Sequence, residues 1–217
     1  MKSFVAYPLE FEKCLFPQAN NKAVGKLIAH YELYKKVSQF SGSIVKCGIT
    51  PEEGFSRFAM FKSLVANHAE QKMIAFEKFS RTLYYENTAT KSGQLQYKIS
   101  GSATTLNYIQ NSLVERGITE KVDFVPGNIH DAIPNYLIEN PELKIAFLNI
   151  DLDDYDAAIC ALEFFSPRLM EGGILVFDNY YKLEEEYRAV NTYFASSNVV
   201  INNFSVNRGP HYIIKNY

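Results

Sequence analysis

The sequence lacks several features that would assign it to a specialised class of protein. Its cysteines, Cys14, Cys47 and Cys160, are far apart and odd in number, which excludes a disulfide framework and a zinc-binding pattern. The 22 basic and 24 acidic residues leave a net charge of −2, so no basic field is present to hold a nucleic-acid backbone. No apolar run approaches the roughly 20 residues that span a bilayer. We therefore expect a cytoplasmic chain that binds neither nucleic acid nor membrane.

The N-terminus also lacks the core of a signal peptide, because Pro8, Glu10 and Glu12 interrupt its apolar residues. The chain does have an apolar fraction of 47% over 217 residues, which is enough to bury a sizeable core without cross-links. Charged residues at 21% and aromatic residues at 14% argue against disorder. One domain, or one domain with a short appendage, is expected.

Strand-like and helix-like segments alternate along the chain. Strand patterns occur at 43–47, 73–76, 122–125, 144–150 and 174–177, and helix patterns at 23–39, 56–68, 104–116, 132–139, 157–169 and 183–195. Gly172 and Gly173 suggest a turn before the fifth strand, and residues 199–206 and 211–215 resemble a hairpin. The pattern predicts an α/β fold, a doubly wound, mostly parallel seven-stranded sheet with helices on both faces and a C-terminal antiparallel hairpin.

Ligands of doubly wound sheets bind where parallel strands end, so the residues after each strand form the candidate site. Gly48 follows the first predicted strand, Glu77 the second and Gly127 the third. The turn after Gly48 is not G-x-G-x-x-G, so the dinucleotide fingerprint is absent. Glu77 either accepts hydrogen bonds from ribose hydroxyls or caps the following helix.

Side chains that carry oxygen follow the fourth and fifth predicted strands. Asp151 and Asp153 come after the fourth strand, and Asp178 and Asn179 after the fifth. Adjacent parallel strands lie about 4.8 Å apart, so Asp151, Asp178 and the amide oxygen of Asn179 can share one ion. Such a partly filled set of oxygens suits Mg²⁺. The alternative is that these residues cap helices and stay solvated.

Residues 146–180 contain an apolar strand, D-x-D-x-Y, a helix, Gly-Gly, a second strand and Asp-Asn-Tyr. Together with SIVKCGI, VDFVPGNIHDAIP and EEYRAVNTYF, they resemble the macrocin O-methyltransferase family of class I S-adenosylmethionine-dependent methyltransferases. The resemblance implies a divalent-metal-assisted O-methyltransferase that acts on a hydroxyl of a sugar or natural-product-like small molecule. Residues 1–41 would form an N-terminal helical cap segment, and residues 42–217 the methyltransferase domain.

The resemblance also implies roles for individual residues. Asp153 would be the general base, with Asp151 beside it in the catalytic centre. S-adenosylmethionine would be bound by Gly48, Gly54, Ser56, Glu77, Gly127, Asn128, Ile129 and Asp151. Mg²⁺ or another divalent cation would be held by Asp151, Asp178 and Asn179.

The sequence departs from the family pattern at two places near the cofactor. Lys46 stands where the family has an acid, and residues 51–53 rebuild and lengthen the glycine turn. A degenerate, non-catalytic module that binds a cofactor or ligand on the same fold is therefore an alternative. A metal-dependent glycosyltransferase would explain the D-x-D pattern, but not the Gly-Gly strand that leads to Asp178.

Two further expectations concern the surface. The aromatic N-terminal segment suggests a homodimer. The three consecutive glutamates at 184–186 are expected on the solvent face of their helix.

Overall fold

The computed structural model describes residues 21–48, 55–65, 70–77, 88–89, 95–96, 121–204 and 210–216. The helices are α1 (Asn21–Val37), α2 (Phe55–Leu64), α3 (Ile129–Glu139), α4 (Tyr155–Phe165) and α5 (Glu184–Tyr193). The strands are β1 (Ser43–Cys47), β2 (Met73–Glu77), β3 (Thr88–Ala89), β4 (Leu95–Gln96), β5 (Val122–Pro126), β6 (Ile145–Ile150), β7 (Leu169–Phe177), β8 (Asn202–Asn203) and β9 (His211–Ile214). The helix predicted at 104–116 lies outside the described residues.

Seven of these strands form one sheet, in the order β5-β2-β1-β6-β7-β9-β8. The first five of that order run parallel, whereas β9 is antiparallel to both β7 and β8. The chain order reverses between β1 and β6, because β2 and β5 extend the sheet on one side and the later strands extend it on the other. The predicted doubly wound sheet with an antiparallel C-terminal pair is confirmed.

The two faces of the sheet carry separate apolar clusters, because successive side chains of a strand point to opposite faces. On one face, Val45 and Cys47 of β1 pack with residues of α3, α4 and α5. On the other face, Ile44 packs with residues of α1 and α2. All six residues of β6 are buried, which explains why five of the six are apolar without alternation. The helices therefore hold the sheet from both sides.

Helix α1 belongs to this core, because its residues Leu33, Tyr34 and Val37 are fully buried. Gln71 ties the end of α1 to the sheet. Its side-chain amide donates to Val37 O at 3.0 Å and accepts from the Tyr34 hydroxyl at 3.1 Å. The part of α1 that precedes Leu33 reaches the edge of the sheet where β1, β6 and β7 end, because His30 contacts Asp178 there.

The boundary between α4 and β7 differs from its prediction. The helix predicted to reach residue 169 ends at Phe165, and Pro167 follows in a short 3₁₀ helix, Ser166–Arg168. Gly172 and Gly173 lie inside β7 rather than in a turn before it. Gly172 has φ 73°, and its N–H donates to Lys215 O at 2.7 Å. Among the described helices, none is both long and apolar enough to cross a membrane.

Candidate active site at the carboxyl ends of the strands

The turns after β1 and β6 meet at the point where the strand order reverses. Gly48 N–H donates to Phe76 O at 3.0 Å, and Asp151 N–H donates to Cys47 O at 2.9 Å. Gly48 has φ +85°, and a Cβ added there would lie 2.0 Å from Asp151 O. A residue with a side chain would need both a rare backbone conformation and a displaced turn. Glycine is therefore required at position 48 for this edge of the sheet to form.

Asp178, directly after β7, is buried with 5% of its surface exposed. Its Oδ1 lies 2.7 Å from His30 Nε2, and its Oδ2 lies 3.2 Å from Lys26 Nζ. The other ring nitrogen of His30, Nδ1, is 3.3 Å from a guanidinium nitrogen of Arg57. A guanidinium group can only donate, so Nδ1 must accept, and Nε2 carries the proton that is donated to Asp178.

The pKa shifts agree with this assignment. Burial lowers the pKa of His30 below its ordinary 6.5, and the charges of Arg57 and Lys26 act in the same direction against the pull of Asp178. Burial would raise the pKa of Asp178, but His30, Lys26 and Lys46 together outweigh it and hold this pKa well below the ordinary 3.8. A neutral imidazole therefore donates to an ionised carboxylate.

Asp151 is in contact with the same cations. Lys46 Nζ is 3.3 Å from Asp151 Oδ2 and 3.9 Å from Asp178 Oδ2. Lys26 Nζ is 3.8 Å from Asp151 Oδ2. Two carboxylates and two ammonium groups thus form one cluster of four charges, and we call these four residues, Lys26, Lys46, Asp151 and Asp178, the charged cluster.

The residues predicted to bind Mg²⁺ come together, but their side chains do not fit that ion as they stand. Asn179 directs its amide nitrogen, not its oxygen, at Asp151 Oδ1. Asp178 Oδ1 accepts from His30, and the Oδ2 atoms of both carboxylates face ammonium groups. Within the described ranges, no three His, Cys, Asp or Glu side chains are arranged to hold a metal ion. A divalent ion here would have to displace lysine side chains.

The two aspartates after Asp151 have different surroundings. Asp154 caps α4, and its Oδ1 accepts from Ala157 N–H at 2.7 Å. Asp153 is exposed and stands one residue before the cap. Asp154 therefore serves as the helix cap, whereas Asp153, two residues after Asp151, has an exposed side chain.

The predicted cofactor-binding residues lie along the same edge of the sheet where they are described. Glu77 ends β2, and its carbonyl accepts from Gly127 N–H at 3.1 Å. Asn128 caps α3 by accepting from His130 N–H at 3.2 Å. At Gly127, with φ +135°, an added Cβ would come near one described atom, a side-chain carbon 3.6 Å away.

Of the remaining three predicted cofactor residues, one has its side chain in the core and two lie wholly or partly outside the described residues. The side chain of Ile129 packs into the apolar cluster under α3. Gly54 lies outside the described residues, and so does the side chain of Ser56, whose backbone belongs to α2.

Three side chains at the site were not expected there from the sequence. Lys26 and His30 are four residues apart on α1 and therefore lie on one face of that helix. Glu186 was predicted to face solvent, and this is wrong, because it is fully buried and accepts from Asn179 N–H at 2.8 Å. The four-residue spacing of Lys26 and His30 indicates that they share one face of α1, but it does not identify Asp178 as their common partner.

Glu186 should make the stability of the protein depend on pH. Burial raises its pKa from 4.5 to about 8, with a smaller contribution from Asp178 and Asp151, against the hydrogen bond from Asn179 N–H. Between these values the folded state keeps a proton that the unfolded state has lost, so the carboxyl destabilises the fold increasingly as pH rises.

We expect Glu186→Gln to be more stable than the wild type by about 3–5 kcal/mol at pH 8 and nearly equal to it at pH 4.5. Urea denaturation of both proteins across this range measures the difference. An equal difference at every pH would contradict the raised pKa.

The sheet order, with its antiparallel end and its site at the reversal of strand order, is the fold of class I methyltransferases. The model of the family described as macrocin-O-methyltransferase (TylF) matches residues 56–208 of the 217. The chain belongs to this family of O-methyltransferases. No curated protein is significantly similar to it in sequence.

Solved structures of other methyltransferases share the fold. The calicheamicin methyltransferase CalS11, also described as a TDP-rhamnose 3'-O-methyltransferase, is 21% identical, with a TM-score of 0.73 over 96% of this chain and 86% of CalS11. The O-methyltransferase NovP is 16% identical, with a TM-score of 0.66 over 89% of this chain and 81% of NovP. The SAH-bound methyltransferase PaMTH1 of Podospora anserina is 10% identical, with a TM-score of 0.52 over the whole of both chains.

Proposed function

We propose that this protein transfers a methyl group from S-adenosylmethionine to a hydroxyl group of a sugar or natural-product-like small molecule. The observation that carries the proposal is the edge at which Gly48, Glu77 and Asp151 follow neighbouring strands, in a chain of an O-methyltransferase family. Ligands of doubly wound sheets bind at this position.

The cofactor would lie along the ends of β5, β2, β1 and β6. Glu77 is suited to accept hydrogen bonds from the ribose hydroxyls, because it carries a carboxylate and is the last residue of β2, the strand next to β1. Asn128 and Ile129 would flank the adenine beside Gly127. Gly48, Gly54 and Ser56 would surround the methionine part, and Asp151 completes the predicted set. The SAH bound to PaMTH1 supports this cofactor.

S-adenosylmethionine supplies a methyl group that needs no activation, whereas the acceptor hydroxyl has to lose a proton. We propose that the carboxylate of Asp153 accepts this proton as the general base. Its side chain is exposed and does not cap a helix. When bound, S-adenosylmethionine would supply its methyl carbon to the acceptor oxygen with breakage of the carbon–sulfur bond, and S-adenosylhomocysteine would be the second product. Asp151, held by Lys46 and Asn179, would keep the neighbouring turn in register.

The acceptor would contact the tyrosines that follow Asn179. Tyr181 is 69% exposed and Tyr187 is 43% exposed, and their rings are stacked with centroids 6.3 Å apart. They border a shallow depression of about 450 Å³ that also includes Lys182. Exposed aromatic rings of this kind bind the apolar faces of sugars and of aromatic compounds. The TDP-rhamnose in the description of CalS11 supports the same class of acceptor.

Other parts of the hypothesis remain proposals. We continue to propose that the acceptor is a small molecule, that the protein binds neither nucleic acid nor membrane, and that it is a cytoplasmic homodimer. We also keep the boundary after residue 41 between the cap segment and the methyltransferase domain as a proposal. The sequence also led to Mg²⁺ bound by Asp151, Asp178 and Asn179. Because the described side chains do not fit this ion as they stand, no step of the reaction is assigned to it.

Calorimetric titration with S-adenosylhomocysteine tests the cofactor site. We expect micromolar binding by the wild type, and binding at least about tenfold weaker by Glu77→Ala, which loses the hydrogen bonds to the ribose. No binding by the wild type would support the degenerate binding module instead.

The role of Asp153 is tested by Asp153→Asn. We expect turnover to fall about 10²–10⁴-fold with unchanged binding of S-adenosylhomocysteine, measured on a panel of glycosides that begins with TDP-rhamnose. Asp154→Asn is the matched control, because asparagine also caps a helix and the neighbouring carboxylate is lost. Equal turnover in Asp153→Asn and the control would remove Asp153 from the mechanism.

A further inference from the structure

The charged cluster contains its own cations at the position where a divalent ion would have to bind. Lys26 Nζ is 3.2 Å from Asp178 Oδ2 and 3.8 Å from Asp151 Oδ2. Lys46 Nζ is 3.9 Å and 3.3 Å from the same two atoms. Each ammonium group therefore bridges both carboxylates, which is the position of an ion that the two carboxylates would share.

We propose that Lys26 and Lys46 take the place of a divalent cation in this protein, so that its site neither binds nor requires a metal ion. The proposal rests on the proposed function in one respect, because the reaction that would not require a metal ion is the methyl transfer proposed above. Its prediction about metal binding holds whether or not the chain transfers a methyl group.

The balance of charge supports this assignment. The two carboxylates and the two ammonium groups sum to zero in a site where Asp178 and Lys46 are 5% and 1% exposed. A divalent ion added to this set would leave two positive charges uncompensated in a region that is largely removed from water. Such an excess is unfavourable at low local dielectric constant, so binding would require the ammonium groups to move away.

Lys46 is poorly able to move away. Its side chain is 2% exposed, and Nζ donates to Asn149 Oδ1 at 2.7 Å in addition to its contacts with the carboxylates. Asn149 lies on β6 in register with Lys46, so the amide is fixed by the sheet itself. The side chain of Lys26 is 11% exposed and reaches the site from α1, which is packed into the core.

One atom of the cluster could argue for a metal ion. Asp178 Oδ2 is buried and accepts no hydrogen bond from the residues that the structure describes. The positive charge that it faces is nevertheless present, because both ammonium groups lie within 3.9 Å of it. Lys26 and Lys46 are therefore positioning residues that supply the positive charge facing Asp151 and Asp178.

Titration with Mn²⁺, followed by the loss of its free electron paramagnetic resonance signal, measures metal binding without any need for activity. We expect no saturable binding to the wild type in the range where oxygen-ligand sites fill. The double variant Lys26→Met, Lys46→Met keeps an unbranched side chain up to the ε-carbon at both positions and removes the ammonium groups. It should bind one Mn²⁺ at least about tenfold more tightly than the wild type, and the further change Asp178→Asn should abolish this binding.

Lys72→Met is the matched control. Lys72 directly precedes β2 and pairs with Asp123, away from the charged cluster. It should bind no more Mn²⁺ than the wild type. If the double variant does not fold, the single variant Lys26→Met, at the more exposed position, carries the test. Stoichiometric binding to the wild type that is lost in Asp178→Asn would overturn the proposal. A failure of the folded lysine variants to gain binding would equally overturn the role of the lysines.

Discussion

Asp178→Ala is expected to destabilise the protein by about 3–5 kcal/mol, because it removes the anionic partner of buried cationic and polar groups. The wild-type carboxylate accepts from His30 at 2.7 Å and lies within 3.9 Å of both Lys26 and Lys46. Alanine would leave the His30 N–H without its acceptor, and Asp151 would be the one carboxylate of the charged cluster left to face the two ammonium groups. Urea denaturation at neutral pH measures the loss.

A control is available in Glu185→Ala. Glu185 also pairs with a basic residue, Arg188, but the side chains of this pair are 42% and 54% exposed. Its loss should cost no more than about 1 kcal/mol, because solvent screens an exposed pair. An equal loss of stability in both variants would show that burial does not govern the energy of the charged cluster.

The effect of Asp178 should also fade in acid. Its pKa is lowered in the folded state, so the carboxylate stabilises the fold above the unfolded pKa of 3.8. This stability is lost as pH falls from that value through the folded pKa. The difference between the wild type and Asp178→Asn should therefore shrink below pH 3.8, and a constant difference would contradict the lowered pKa.

Gly48→Ala is expected to destabilise the protein by about 2–6 kcal/mol, the sum of a strained backbone and a steric collision. The residue has φ +85°, and its added Cβ would lie 2.0 Å from Asp151 O. Because the collision is with backbone, relief would require the turns after β1 and β6 to separate. The free energy of unfolding, measured by urea denaturation, and the affinity for S-adenosylhomocysteine should therefore both decrease.

Gly127→Ala separates the two causes. Gly127 also has a positive φ, +135°, but its added Cβ would meet a described neighbour only at 3.6 Å, which is an ordinary contact. We expect a smaller loss of about 1–3 kcal/mol from backbone strain alone. A loss as large as that of Gly48→Ala would mean that the contact with Asp151 O contributes nothing.

Most of the fold could be predicted because its signals are local. The apolar run that forms β6 and the helical spacing of α1 each depend on residues close together in the chain. The prediction was wrong where two elements adjoin without a break, at the end of α4. There a proline inside a helical pattern begins a 3₁₀ turn, and two glycines lie within a strand instead of before it.

The candidate site could be predicted in part for the same reason. Parallel strands end at one edge of a sheet, so Asp151, Asp178 and Asn179 had to come near one another once the order of strands was known. What surrounds them could not be predicted, since His30 and Asp178 are 148 positions apart. No local period specifies which residue of α1 faces which strand end.

Sequence alone established the class of fold, the edge of the sheet that carries the site and the carboxylates that meet there, because each follows from periodicity and strand order. The chemistry of those carboxylates depends on tertiary structure. The same aspartates would suit a divalent ion if the nearest neighbours were water, and they do not suit it when Lys26 and Lys46 fill the space between them. Ionisation and charge balance depend on distances of a few ångströms between distant parts of the chain, and only packing sets those distances.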